Sequence, residues 1–508
     1  MSDSIKIIEN GFVYTGDKQN HAGRLTLLLQ NGRLIELGRR ADALKATYPN
    51  AEVIDAAGKI IFPGFVDAHH TGISFIMRYL TSGQPMSQWS RNPGLRRAFD
   101  YLRTEATFQE FLSLYRLSYY AALKSGITTV AEFGINTPEH SLTASLEALQ
   151  QTNQRGFIGL HNGDQIEAAR KLRDSSIRFG IVIADEENLT TYNLQSSIRL
   201  ARELQWPLLL HLGQTRHAYS SVKKNFNKSI AQIYSEYRAM DSPAQLLHLA
   251  CFEDEDYEII AKSHVPLIYS PSAILQKGTD IPPFQELLKR KIPLALGSDW
   301  GAAQPLENIQ TYCSMLTMLG LLHENASGLL TLHTSNGARA LGLQAEIGSL
   351  EPGKKADLVF LDLSEFRMNA ILAEDQPERM LEVILQEAGS RQVSDVMING
   401  EFYVREGHVL TYSEEDMARE GQTIFKKLAS FRGQKTAAQP LPATILQFST
   451  QQKNGRTLFT DDMPLEEGFR VIRKEGSPFP SPGKGAPSHE SAGELPKNVK
   501  KIFGDDDV

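Results

Sequence analysis

Pro63-Gly64-Phe65-Val66-Asp67-Ala68-His69-His70-Thr71 marks the point at which the chain changes character. An apolar run opened by a Pro-Gly turn and closed by imidazoles reads as a buried strand that ends in polar chemistry. Seven further short apolar runs follow, at 127–133, 156–160, 178–183, 207–212, 245–249, 266–269 and 293–296, with helical stretches between them. Strands that are apolar throughout are covered on both faces, so eight strand-helix units predict a (β/α)8 TIM barrel over 63–345.

Outside that span the pattern is different. Residues 5–14, 25–30, 33–37 and 52–54 alternate as strands, with the turn pair Asn31-Gly32 between the second and third. Residues 346–363 and 393–410 return to β character, so 1–62 and 346–412 are expected to form one composite small β-sandwich domain from both chain ends. Met417, Ile424, Phe425, Leu428 and Phe431 recur at helical spacing and predict a helix within 413–433. Residues 434–508 read as a largely disordered C-terminal extension, because a stretch rich in Pro, Gly and Ser buries too little to offset its ordering entropy. Its islands at 443–448 and 468–472 are candidate contacts for the body or for a protein partner; a solvated extension without a role is the plainer alternative.

Composition excludes several classes. The 508 residues are 41% hydrophobic with a net charge of −7, which is globular and offers no basic field to nucleic acid or anionic lipid. Two cysteines far apart, Cys251 and Cys313, give neither a disulfide framework nor a thiolate zinc motif. The start lacks a leader pattern and no run reaches the ~18 apolar residues of a membrane span, so a cytoplasmic protein with no membrane partner is expected.

In a parallel barrel the chemistry sits at the C-terminal strand ends. Four runs end there in His69, His211, His248 and Asp299. A single histidine at such a place is usually an ordinary hydrogen-bonded residue; four groups from four strands could together hold one divalent metal, Zn or Fe. An open position on that metal would bring a bound water's pKa towards ~7 and make hydrolysis available.

At these residues the chain resembles the amidohydrolase superfamily, in the branch of cytosine deaminase, adenosylhomocysteine deaminase and triazine hydrolase. The resemblance rests on 59–69 (KIIFPGFVDAH), 126–133 (GITTVAEF), 334–343 (TSNGARALGL) and 348–361 (GSLEPGKKADLVFL). It rests also on the order His248, Ser270-Pro271-Ser272, then Gly297-Ser298-Asp299-Trp300. It implies a mononuclear site in which His69, the position of Thr71, His211 and Asp299 are ligands, Asp299 also shuttles a proton, and His248 orients water or substrate. It implies as well a small, heterocyclic substrate cut at a C–N bond, and a homo-oligomer. The fourth run ends without a lysine to bridge two metals, which disfavours a binuclear site.

Two departures stand out. The superfamily's His-x-His is His69-His70-Thr71 here, so a hydroxyl replaces one imidazole. Period-two alternation aims His70 at the other face unless the backbone kinks or bulges. Gln214 stands where related hydrolases place a glutamate, and a carboxamide cannot serve as general acid or base near pH 7. The end of the seventh run, 269–273, also lacks the His and Asn seen in the branch. Glu132, His161, Asn162 and Asp185 end neighbouring runs and are replacement candidates, although each alone is more simply a cap or loop residue. Asp67, Thr71, Gln214, Glu132, His161, Ser270 and Trp300 are therefore expected as substrate contacts or supports. Coordination by His69, His211, His248 and Asp299 together would be closed, and structural rather than catalytic. Three readings stay open: a metal-dependent hydrolase or deaminase, a catalytically degenerate relative acting as scaffold, subunit or binding protein, and a pocket that binds without turnover. Arg91, Arg96 and Arg97 read more simply as a solvated basic face than as an anion site.

Overall fold

A computed structural model describes residues 4–431, apart from 82, 173–175, 184–185, 188, 242, 250–252, 322–324 and 365–373. The expected tail, Cys251 and Asp185 lie outside the described residues. All eight apolar runs are strands of one parallel sheet: Phe65–His70, Ile127–Glu132, Arg155–Leu160, Ile177–Ile183, Leu208–His211, Ala244–Leu247, Leu267–Tyr269 and Leu294–Leu296, each paired with the next. A single parallel bridge between His70 and Asp299 joins the last strand to the first and closes the barrel. Inside, Val66, Ala131, Phe157, Val182, Leu209, Leu247, Ile268 and Ala295 form a separate core, sealed from below by Ala338 and Leu341. The barrel is thus filled with side chains and its chemistry is confined to one mouth.

Strands from both chain ends share a seven-stranded sheet, in which Lys59–Pro63 lies between Phe12–Tyr14 and Leu358–Asp362. A four-stranded sheet of Arg33–Leu37, Leu27–Gln30, Ile5–Glu9 and Glu52–Asp55 faces it. Ile8, Leu27, Leu29 and Ile54 pack against Val13, Ile61, Leu358 and Phe360 between the two layers. The expected strand over 5–14 is two strands, broken at Asn10 and Gly11, where Asn10 turns left-handed at φ 66°. The helix Glu414–Ser430 begins on Ser413, whose side chain caps the Asp416 amide. Among the described residues no helix is long and apolar enough to cross a membrane.

Candidate functional site

Strand alternation delivers two of the site residues. His211 lies two residues beyond the inward Leu209, and His161 directly follows the third strand, two residues after Gly159, where an added Cβ would meet Val182 and Leu209 inside the barrel. The other three need irregular backbone. Asp67 pairs with Val130 but His70 pairs with Glu132, so a bulge between them turns His69 into the mouth. His248 follows the inward Leu247 directly and reaches the mouth on a left-handed backbone, φ 70°, continued by Leu249 at φ 134°. Asp299 is left-handed too, φ 48°. Such conformations cost about 1–3 kcal/mol each for residues other than glycine, and here two of the three carry candidate site side chains, His248 and Asp299.

Asp67 fastens the closing seam. Its carboxylate accepts from the Ser298 amide (2.8 Å) and Oγ (2.5 Å) and from His70 Nδ1 (2.9 Å), while the Asp299 amide donates to the His69 carbonyl (2.6 Å). Gly297 is required here, because a Cβ would lie 2.6 Å from the His69 amide nitrogen and 2.8 Å from its carbonyl oxygen. The same bulge leaves His70 on the outward face. Its Nε2 meets Ser118 Oγ at 2.8 Å, so it does not replace the imidazole missing at Thr71.

His69, His248 and Asp299 bring one donor atom each within 4.8 Å of one another, a group that could hold a metal ion. His69 Nε2 lies 3.7 Å from Asp299 Oδ1, and the His248 ring stands 5.2 Å from that of His69 and 4.8 Å from that of His211. Nδ1 of both His69 and His211 is buried without a hydrogen-bond partner. Burial drives all three imidazoles towards the neutral form, His211 to about 3. Burial opposes ionisation of Asp299, but the ammonium of Lys277 and the nearby His69 overcome it and hold the carboxyl below its usual range.

Sequence reasoning missed Lys277. It is the last residue of the helix Pro271–Lys277, which follows the seventh barrel strand, and its buried ammonium is ion-paired with Asp299 Oδ2. With a hydroxyl at Thr71 and His70 tied to Asp67, the ligand set that the resemblance implies is incomplete, and a metal at the group of His69, His248 and Asp299 would meet the Lys277 ammonium already on Asp299. Glu186 was missed as well. It is buried beyond the fourth strand and accepts from the Gly213 (2.5 Å) and Gln214 (3.1 Å) amides, holding the loop after His211.

The remaining candidates divide. Asn162 caps the helix Gly163–Arg170 through the Gln165 amide. Trp300 packs on Trp89, ring centres 5.0 Å apart, and Ser270 Oγ is buried and unpartnered. His161 turns its Nε2 to the Phe133 carbonyl, and burial lowers it to about 4. Glu132 accepts from the Gly72 amide (2.8 Å) and Tyr119 (3.3 Å), leaving Oε1 without a partner.

Burial raises the Glu132 carboxyl from 4.5 to about 7. Above pH 4.5 the unfolded chain loses this proton while the fold must keep it or bury a charge. Stability is therefore lost as pH rises from about 4.5 to about 7 and is level beyond, by about 3 kcal/mol in all. Glu132→Gln is expected to raise the urea midpoint at pH 8 and leave it almost unchanged at pH 4; equal shifts at both would refute the assignment.

Eight parallel strands whose C-terminal ends gather imidazoles and an acid define a class, the (β/α)8 barrels built for polar chemistry at one mouth. The profile of the amidohydrolase family matches residues 60–403, and the chain belongs to that family. It is 22% identical to the 5-methylthioadenosine/S-adenosylhomocysteine deaminase of Pyrococcus furiosus, over 80% of this chain and 97% of that one. It is 23% identical to the 5'-deoxyadenosine deaminase of Methanosarcina acetivorans, over 84% and 98%. Among solved structures, an adenosine deaminase from Xanthomonas campestris with bound zinc superposes at a TM-score of 0.73 with 18% identity, covering 83% of this chain and 98% of that one.

Proposed function

We propose that this chain is a hydrolase acting on a C–N bond of a small heterocyclic molecule, with amino-substituted purine nucleosides the first class to test. The observation that carries the reading is the meeting of buried His69, His248 and Asp299 with the half-buried His211 at the ends of four strands. The names of its relatives, adenosine-type deaminases matched over most of their length, point the same way. In this reading water adds to the ring carbon that bears the amino group. Asp299, held ionised, takes the water's proton, and the neutral His248 holds the ring by a hydrogen bond. The C–N bond then breaks and the nitrogen leaves as ammonia with the transferred proton. A divalent metal, zinc or iron, was the sequence expectation for activating that water; no step here is assigned to one.

Thr71 and Gln214 favour a second reading, in which the same pocket binds the heterocycle without turnover. Offering 5'-deoxyadenosine and 5-methylthioadenosine, with and without zinc, and measuring ammonia together with calorimetric binding separates the two. Turnover cut about a hundred-fold or more in Asp299→Asn is expected for the hydrolase. Binding with no ammonia selects the second reading, and neither binding nor ammonia overturns both.

A further inference from the structure

We propose that Lys277 is the resident cation of this barrel mouth, supplying from within the chain the positive charge that a metal ion would otherwise bring. A lysine in the last turn of a helix ordinarily extends into water, where its charge is free of desolvation cost. This one is 5% exposed and ion-paired with Asp299 across the mouth, on the carboxylate that also lies 3.7 Å from His69 Nε2. Gly278 follows it in the left-handed conformation, φ 59°, and ends the helix at the residue that turns inward.

The second observation is independent of the lysine. Position 71 carries a hydroxyl where the resemblance implies an imidazole ligand, and the adjacent imidazole of His70 is spent on Asp67, Ser298 and Ser118. A divalent ion entering the cluster would have to compete for Asp299 with an ammonium already paired to it, and would face that like charge in a buried site. The hydroxyl at position 71 and the buried cation at position 277 therefore point the same way. This holds whether or not the pocket turns substrate over, because it concerns what neutralises Asp299. Lys277 is accordingly a positioning residue: it fixes the ionised carboxylate and leaves the imidazoles unligated.

The test is metal uptake by the full chain, without a histidine tag, for wild type, Lys277→Met and the double variant Thr71→His/Lys277→Met. Zinc per chain is measured by elemental mass spectrometry after incubation and desalting, and cobalt(II) absorption reports tetrahedral coordination. Wild type is expected to hold far less than one zinc per chain and to give no cobalt band. The double variant, given an imidazole and relieved of the ammonium, is expected to take up about one zinc per chain and to show the band. A wild-type protein that binds one zinc per chain, lost in Asp299→Asn, would overturn the proposal. So would a folded double variant that takes up none. Wild type alone decides if the variants fail to fold, since the two metal contents expected of it are opposite.

Discussion

Asp67→Ala is expected to melt roughly 10 °C below the parent, since removing one partner of a buried ion pair costs about 3–5 kcal/mol and each kcal/mol moves a large domain by about 2–4 °C. Asp67 is fully buried, and it holds the closing seam through two hydrogen bonds from Ser298 and one from His70. Burial works against its charge, but the hydrogen bond and charge of His70 prevail and keep the carboxyl low. Burial likewise works against a charged His70, and the hydrogen bond to Asp67 prevails and raises the imidazole. The carboxylate's contribution is lost as pH falls through its lowered folded pKa. That of the imidazole is complete below its ordinary 6.5 and is lost as pH rises through the raised folded value. The penalty of the variant should therefore be largest between about pH 4 and 6.5. Asp67→Asn keeps acceptors for the Ser298 amide and should cost less. Calorimetry at pH 5.5 checks both, and an alanine variant within about 1 kcal/mol of wild type would remove Asp67 as the fastener.

Arg155→Met should be of similar size and for a related reason. Arg155 starts the third barrel strand and forms a buried ion pair with Asp357, at the start of the segment leading into Leu358–Asp362; its guanidinium also meets the side chain of Asn399. Asp357 accepts in addition from the Asn399 amide at 2.9 Å. Three residues far apart in sequence thus pin the barrel floor to the seven-stranded sheet. Without the guanidinium a buried carboxylate is left uncompensated, at about 3–5 kcal/mol. Arg155→Met/Asp357→Asn removes the charge and keeps an acceptor for the amide, and should recover much of the loss. Urea unfolding of the single and double variants measures this; a double variant no better than the single one would show that packing, not charge, dominates.

Most of the fold was legible because it rests on local repetition. Each of the eight apolar runs corresponds to a barrel strand within a few residues, and the β segments at the two ends do share a sheet. Short elements held by tertiary contacts were not legible. Ala22–Arg24 pairs antiparallel with Phe12–Tyr14 but contains no apolar alternation, and the helix Ala41–Thr47 buries only Leu44. The same division runs through the site. His211 sits on the inward phase of its strand and could be counted out from Leu209, whereas Asp299 lies three residues past its strand on a left-handed backbone. His69 depends on a bulge, and His248 on a left-handed turn, that no neighbouring residue announces. Lys277 was hidden most completely, because Gln-Lys-Gly at 276–278 reads as an ordinary helix stop. Only the folded chain places Asp299 beside its ammonium.

The left-handed backbone at His248, Leu249 and Asp299 is held in place by the side chains it carries. Glycine would relax the main chain at each position, but Leu249 is fully buried and its loss would open a cavity, while loss of the Asp299 carboxylate would leave the Lys277 ammonium uncompensated. The mouth is therefore the part of the barrel least able to be smoothed into ordinary strand ends.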